Sequence, residues 1–195
     1  GRGDVARQRA HFLKHVKRLQ HAFTVIDECR VPVIAAIQGA CIGGGVDLVT
    51  ACDMRVACED SYFTIQEINV GIVADVGTLQ RVPHLLPQGI VRELTYTGRK
   101  FPAEEAQRYG FVNRVAPDHE AVIEAAFELA RQIAAKSPVA IMGCKAVLNR
   151  GRGQTVEAGL DYVAVWNAAF LQGDDMREAI GSQMEKRPAS FADIS

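Results

Sequence analysis

Residues 32–48 read PVIAAIQGACIGGGVDL, and this stretch gives the clearest indication of the fold. Its apolar run over residues 33–37 is typical of a strand covered on both faces in a parallel sheet. Pro32 separates that strand from what precedes it, because proline lacks a backbone N–H and restricts its predecessor. The glycines at positions 43–45 let the backbone approach a ligand closely. An apolar helix follows to about residue 51, and the N–H groups at its start are free to face an anion.

The patterns on both sides of this stretch indicate an α/β core. A helical pattern covers residues 4–29, and short strands are predicted at 54–57 and 62–65. Strand, glycine turn, helix and strand in succession are typical of a crossover unit. We therefore predict a core over residues 1–97. A mainly helical C-terminal region over residues 98–195 would serve in oligomerisation or cover an active site. Within residues 77–195 the helices are predicted at 77–86, 88–97, 102–109, 118–136, 139–148 and 156–170, with one strand at 111–115 and a frayed tail.

The composition excludes several classes of protein. The chain has 195 residues, with 22 basic and 23 acidic side chains and a net charge of −1. Because basic residues are not in excess, the composition gives no indication of a nucleic-acid partner. No apolar stretch approaches about 18 residues, and no signal peptide opens the chain, so no membrane span is predicted. The five cysteines form no C-x-x-C pair, which favours buried thiols in a reducing compartment. We expect a cytoplasmic protein, or one from a mitochondrion or peroxisome whose targeting segment is absent.

Three acidic residues follow the glycines at positions that suggest acid–base chemistry. Taken singly, each has a simple structural interpretation. Asp47 lies in the first turn of a helix and suits its dipole, Glu67 follows a strand as a loop acid, and Asp75 is a candidate helix N-cap. Taken together, carboxylates in apolar surroundings have raised proton affinity, and neighbouring carboxylates push their pKa values apart. One acid can then stay protonated while another acts as a base near neutral pH.

Other kinds of catalytic site find little support in the sequence. His11 and His15 are spaced like zinc ligands on one helix face, but the glutamate of the metalloprotease motif is absent. The glycines match neither a dinucleotide fingerprint nor a P-loop, and there is no serine nucleophile elbow. We predict no metal and no bound cofactor.

Longer motifs resemble a known family. Residues 32–48 and their continuation are similar to the signature of the enoyl-CoA hydratase/isomerase (crotonase) superfamily. The resemblance extends over essentially the whole chain, through Ala51-Cys-Asp-Met-Arg55, Phe63, Glu67, Gly71, Gly77-Thr-Leu-Gln-Arg81, residues 97–100, 103–106 and 110–115, and Lys136-Ser-Pro138. It implies a crotonase-like spiral core of (ββα) units, an acyl-CoA thioester substrate with CoA as part of that substrate, and homo-oligomers built as trimers or hexamers.

The three acidic residues distinguish between subfamilies of this superfamily. Hydratases of the family carry glutamate at the positions of both Asp47 and Glu67, and a glycine near Asp75. The trio in this chain resembles that of Δ3,5-Δ2,4-dienoyl-CoA isomerases, which act in the β-oxidation of unsaturated fatty acids. By this resemblance Glu67 removes a proton from C2, Asp75 delivers one at C6, and Asp47 supports them. Gly44 donates its N–H to the thioester oxygen in the oxyanion hole.

The resemblance also leaves some points open. In the family the chain begins earlier, with units that carry the other oxyanion donor and much of the CoA-binding surface, so we expect this chain to be a fragment. An apolar pocket around Ile72 and Val73 is expected to exclude water. One alternative is an enoyl-CoA hydratase or a Δ3,Δ2-enoyl-CoA isomerase that uses Glu67 alone. Another, of a different class, is a non-catalytic crotonase-fold protein that binds a partner.

Overall fold

The computed structural model describes residues 4–194, and their contacts divide the chain into two compact units. The first unit runs to Cys29 and continues over Val33–Ala126, and the second joins Arg30–Pro32 to the chain from Phe127 onward. The predicted domain limits at residues 1 and 195 lie outside the described residues. Among residues 4–194, no helix is both long enough and apolar enough to cross a membrane.

The described part of the first unit contains two small sheets of three strands each. The strands are β1 (Ile34–Ile37), β2 (Ala40–Ile42), β3 (Met54–Cys58), β4 (Tyr62–Thr64), β5 (Phe101–Pro102) and β6 (Arg114–Ala116). One sheet has the order β1-β3-β6 with parallel pairing, and the other has the order β2-β4-β5, in which β4 and β5 are antiparallel. The predicted α/β class is confirmed. Strand β2 was missed because its three residues lie inside the stretch that the sequence indicates as a glycine turn.

Among the described residues of the first unit there are five helices, and a sixth begins there. They are α1 (Val5–Asp27), α2 (Gly44–Ala51), α3 (Thr78–Arg81), α4 (Gln88–Thr97), α5 (Ala103–Arg108) and α6 (His119–Ala134). Two short 3-10 segments occupy Glu67–Val70 and Val82–His84. The helix predicted over residues 77–86 is therefore wrong in length. Pro83 lies just after the end of the α-helix. Its ring clashes with the carbonyl of a preceding helical turn, and proline has no backbone N–H to donate.

The core of the first unit positions the start of α2. Val46 and Val49 of that helix are buried among aromatic side chains and leucines of the neighbouring elements. The rings of Phe63 and Phe111 meet edge to face, with centroids 5.0 Å apart and planes at 77°. Because α2 is anchored by its apolar face, the glycine turn before it has a fixed place.

The second unit is helical. It contains the end of α6 and the helices α7 (Pro138–Gly151), α8 (Val156–Phe170) and α9 (Asp174–Glu185). Gly143 lets α7 approach α8, since a Cβ at this position would lie 2.4 Å from Nε1 of Trp166. The frayed tail predicted after residue 170 is wrong, because α9 forms there, and Ser137 beside α7 donates to the carboxylate of Asp175 at 2.5 Å.

The division predicted after residue 97 does not coincide with the grouping by contact. Strands β5 and β6 follow that residue, yet each completes a sheet of the first unit by pairing with β4 and β3 respectively. Strands of two or three residues carry little periodicity, so their place in the core was not visible in the sequence.

Candidate functional site

A glycine turn opens the candidate site. Gly43 adopts φ 53°, a left-handed conformation that favours glycine, and its N–H donates to the carbonyl of Thr64 at 3.0 Å. Its own carbonyl accepts from Val46 at 2.7 Å. The N–H groups of Gly44 and Gly45, at the start of α2, have no acceptor among residues 4–194. Two such donors at a helix start form a place for a negatively charged oxygen.

Glu67 lies against this turn. It begins the 3-10 segment after β4, and a Cβ on Gly43 would lie 3.3 Å from its Oε1. Its Oε2 is buried and has no hydrogen-bond partner within the described chain. Burial raises the pKa of Glu67, and the charges of Asp47 and Asp75 raise it further. The structure therefore brings the three predicted acids into one electrostatic neighbourhood, with Glu67 beside the free amides.

Asp47 is fully buried and held from another helix. Its Oδ1 accepts two hydrogen bonds from Thr78, one from the backbone N–H and one from the hydroxyl, each at 2.7 Å. Its Oδ2 is buried without a partner among the residues that the structure describes. Asp47 therefore does more than interact with the dipole of its own helix, because its carboxylate also accepts the backbone N–H at the start of α3. Sequence reasoning missed Thr78, although it lies within the quoted family motif.

Asp75 contrasts with Asp47. Its side chain is exposed in the segment between the 3-10 turn and α3, and its backbone carbonyl accepts from Gln20 Nε2 at 2.7 Å. The interpretation of Asp75 as a helix N-cap is wrong, because α3 begins after Gly77. The acid is therefore available to a ligand, and it borders a surface depression lined by apolar residues of α1, including Phe12, Leu13 and Val16.

Within residues 4–194, the side chains of Ile72 and Val73 do not line the predicted apolar pocket. Ile72 is 58% exposed and Val73 is 74% exposed. The two residues lie in the irregular stretch after Gly71, where neither a helix nor a strand fixes which side chain turns inward. Exclusion of water at this place is therefore not a property of the described residues.

Gly77 and Arg81 hold the segment that carries Asp75. A Cβ on Gly77 would lie 1.8 Å from Nη1 of Arg81, so the guanidinium packs directly on the backbone of the glycine. The same guanidinium donates to Thr24 of α1 at 3.4 Å and lies 3.7 Å from the carboxylate of Asp27. The sequence offered one signal for this arrangement, the glycine ahead of a helical pattern.

No metal centre is indicated in the described part of the chain. Between residues 4 and 194, no group of three or more His, Cys, Asp or Glu side chains is placed to hold a metal ion. His11 and His15 are exposed on α1. The absence of metal and cofactor stays a prediction. The arrangement itself offers two free amide donors, a carboxylate of raised pKa beside them, and a second, accessible carboxylate.

Comparisons with known proteins show which family the chain resembles. The family described as enoyl-CoA hydratase/isomerase matches residues 3–194. A peroxisomal Δ(3,5)-Δ(2,4)-dienoyl-CoA isomerase from Arabidopsis thaliana is 47% identical over 191 residues, which are 98% of this chain and 69% of the relative. A mitochondrial protein of the same name from Rattus norvegicus is 48% identical over 98% of this chain and 59% of its own length.

Solved structures give the same answer for the fold. An enoyl-CoA hydratase from Bacillus anthracis superposes with a TM-score of 0.88 at 32% identity, over 97% of this chain and 72% of that chain. The predicted crotonase-like fold and the predicted family resemblance are confirmed. The chain spans about three fifths of the length of the rat relative.

Proposed function

The chain belongs to the enoyl-CoA hydratase/isomerase family, and we propose that within this family the protein converts 3,5-dienoyl-CoA into 2,4-dienoyl-CoA. The main support is one observation. The carboxylate of Glu67 lies against Gly43, next to the unpartnered amides of Gly44 and Gly45, and the charge of Asp75 acts on it. An anion hole, a base and a second acid are the parts that such a reaction needs.

The glycine turn would stabilise the enolate. The N–H of Gly44 donates to the thioester oxygen, on which negative charge develops when C2 loses its proton. Donors already in place at the developing charge stabilise the transition state without reorganising, and one such donor contributes about 3–4 kcal/mol. The relatives' greater length leaves room for a second donor outside this chain.

Glu67 and Asp75 would move the protons. Glu67 takes the proton from C2, and the electron pair of that bond enters the conjugated enolate. Protonation at C6 by Asp75 then draws the pairs along the chain, so that double bonds form at C2 and C4 and the carbonyl is restored. A single base beside C2 cannot easily serve a carbon four bonds away, which explains the need for two carboxylates. Asp47 contributes charge and support from its buried position.

The relatives support the substrate. The Arabidopsis and rat proteins are named dienoyl-CoA isomerases, and the chain matches them over nearly its whole length. We assign the protein to the oxidation of unsaturated fatty acids, with CoA bound only as part of the substrate. The relatives are named peroxisomal or mitochondrial, so we place this protein in such an organelle, and the cytoplasmic prediction has no support. Assembly into trimers or hexamers stays a prediction.

The decisive test is turnover of a 3,5-dienoyl-CoA by the full-length protein, followed by the absorbance of the 2,4-dienoyl product. We expect Asp75→Asn and Glu67→Gln each to lose roughly 100- to 10,000-fold in kcat, the usual contribution of a general acid or base. Asp161→Asn, which changes an exposed aspartate of α8, serves as the matched control and should keep wild-type activity.

Other outcomes would favour the alternatives. Hydration of 2-enoyl-CoA, or isomerisation of 3-enoyl-CoA, that survives Asp75→Asn but not Glu67→Gln would identify a hydratase or a Δ3,Δ2-isomerase. A protein that binds CoA thioesters and turns over none of the three substrates would be a binding protein of this fold.

A further inference from the structure

We propose that Thr78 is a positioning residue, which holds the buried carboxylate of Asp47 in one orientation so that it can support Glu67 during the reaction. This inference rests on the proposed function, but one of its tests below does not. Thr78 would touch no reacting atom. It would act only through Asp47.

The geometry of the contact is unusually restrictive. Thr78 is 1% exposed and Asp47 is fully buried, and two donors of the same residue converge on a single carboxylate oxygen. With Oδ1 fixed by both, the carboxylate cannot rotate about its own axis without losing both hydrogen bonds. Oδ2 therefore keeps one direction, although no donor of the described chain meets it there.

An unsatisfied oxygen on a buried carboxylate opposes folding, and native proteins rarely retain one without a reason. Arg81, on the same short helix, is directed elsewhere, since its guanidinium contacts Thr24 and lies beside Asp27. The negative charge at Asp47 is thus held by neutral donors that leave it uncompensated. This arrangement suits a group whose charge acts on a neighbour, and burial together with the charges of Asp47 and Asp75 raises the pKa of Glu67.

Few other charges bear on this pair. Helix α2 and strand β2 carry no charged side chain besides Asp47. On α1, which packs against α2, every charged residue except Asp27 is exposed, and Asp27 lies beside Arg81. On α4, which packs against the segment of Glu67, Arg92 and Glu93 are both exposed. Asp75 also raises the pKa of Glu67, but it is unchanged in the variants tested below, so the influence of Asp47 on Glu67 can be measured separately.

The test compares Thr78→Val with Thr78→Ser in the full-length protein. Valine keeps the shape and removes the hydroxyl donor, whereas serine keeps the donor. We expect Thr78→Val to lower kcat about 10- to 100-fold, the rate equivalent of a hydrogen bond to a charged group, with KM changed less than about 2-fold. Thr78→Ser should stay within about 3-fold of wild type. Should the valine variant not fold, Thr78→Ala removes the same hydroxyl.

A pH titration separates positioning from a merely structural role. A carboxylate released from Thr78 can turn away from Glu67, and this weakens the repulsion that raises the pKa of Glu67. The ascending limb of kcat/KM should therefore move to lower pH in Thr78→Val and not in Thr78→Ser. The midpoint of Glu67 in the free protein, followed by ¹³C NMR of its carboxyl group and assigned with Glu67→Gln, should shift in the same way.

Three results would overturn the inference. They are a Thr78→Val variant with wild-type kcat, a serine variant as impaired as the valine variant, and an unchanged Glu67 midpoint in Thr78→Val. If the wild-type protein fails to isomerise dienoyl-CoA but the NMR midpoint falls as expected, the proposed reaction is wrong and the role of Thr78 toward Asp47 stands.

Discussion

The start of α2 and the segment before α3 each supply one aspartate to the candidate site, but the fold positions the two by opposite means. Asp47 is fully buried and receives two hydrogen bonds on one oxygen. Asp75 has an exposed side chain, and the structure holds its backbone through Gln20. The first carboxylate is fixed in place, while the second is left accessible and only its chain is anchored.

This contrast shows how one site can separate stability from chemistry. A buried, oriented carboxylate influences a neighbour through low-dielectric surroundings, but its removal leaves donors without an acceptor. An exposed carboxylate can exchange protons with a substrate, and its removal disturbs no packing. We therefore expect substitutions at the two positions to affect different measurements, and the following predictions test that separation in order of decreasing effect on stability.

Gly77→Ala should have the largest effect on stability. Gly77 adopts φ 138°, and the new Cβ would lie 1.8 Å from Nη1 of Arg81, a side chain that is only 13% exposed and has little room to move. We expect a loss of about 3 kcal/mol in the free energy of unfolding, from backbone strain and a displaced guanidinium. Chemical denaturation measures this loss.

Gly89→Ala is the matched control for that substitution. Gly89 lies in α4 and is exposed, and a Cβ added there would meet no heavy atom within 4 Å beyond its own helix backbone. Alanine should stabilise the helix there by about 0.5–1 kcal/mol. A Gly77→Ala protein as stable as Gly89→Ala would mean that Arg81 does not hold the segment of Asp75.

Asp47→Ala and Asp75→Ala test the comparison directly. Asp47→Ala leaves the N–H and hydroxyl of Thr78 without their acceptor, so we expect a loss of about 2 kcal/mol, reduced by relief of an unpaired buried charge. Asp75→Ala should change stability by less than about 0.5 kcal/mol, although it abolishes the proposed proton delivery. Thermal and chemical unfolding measure both, and equal losses for the two variants would contradict the separation.

Gln20→Ala should have a smaller effect. It removes the donor to the carbonyl of Asp75, and we expect a loss of about 1 kcal/mol with a modest fall in isomerase activity as the segment of Asp75 loosens. Gln107→Ala changes an exposed glutamine of α5 and reports the baseline for this substitution in a helix. If Gln20→Ala and Gln107→Ala are alike in both stability and activity, the anchor from α1 is not important.

The sequence predicted the parts of this site that have a local signature. The glycine turn, the strand before it and α2 follow from composition and periodicity over residues 32–51, and the family motif identified Asp47, Glu67 and Asp75 as candidates. What was missed depends on contacts between distant residues. Thr78 meets Asp47 across 31 positions, and the carbonyl of Asp75 meets Gln20 across 55, so no short pattern could reveal either pair.

Errors of secondary structure have similar causes. The pocket predicted around Ile72 and Val73 relied on their apolar character, yet both side chains are exposed. Irregular backbone gives no periodicity from which an inward face could be assigned. Strand β5 has two residues and is defined only by its pairing with β4. Burial and short strands are therefore tertiary properties here, and the sequence alone could not supply them.

Glu67→Gln should give a small change in stability that depends on pH, because the carboxyl group is only partly buried and solvent screens its interactions. Burial and two negative neighbours raise its pKa above the usual value of a glutamate, so the folded state favours the protonated form more than the unfolded state does. The stability this group contributes is present below its unfolded pKa and is lost as the pH rises through the folded pKa. Glutamine imitates the neutral form, so Glu67→Gln should melt higher than wild type at pH 7, and the two should converge toward pH 4.

Glu105→Gln is a control of opposite sign, because the hydrogen bond from Arg99 lowers the pKa of Glu105. The stabilisation that ionised Glu105 gives is present at neutral pH and lost on acidification, so this variant should melt lower at pH 7 and converge with wild type in acid.

If Glu67→Gln instead melts lower at neutral pH, the ionised form of Glu67 stabilises the fold, and its proposed role as a base beside Asp47 and the glycine turn would be untenable.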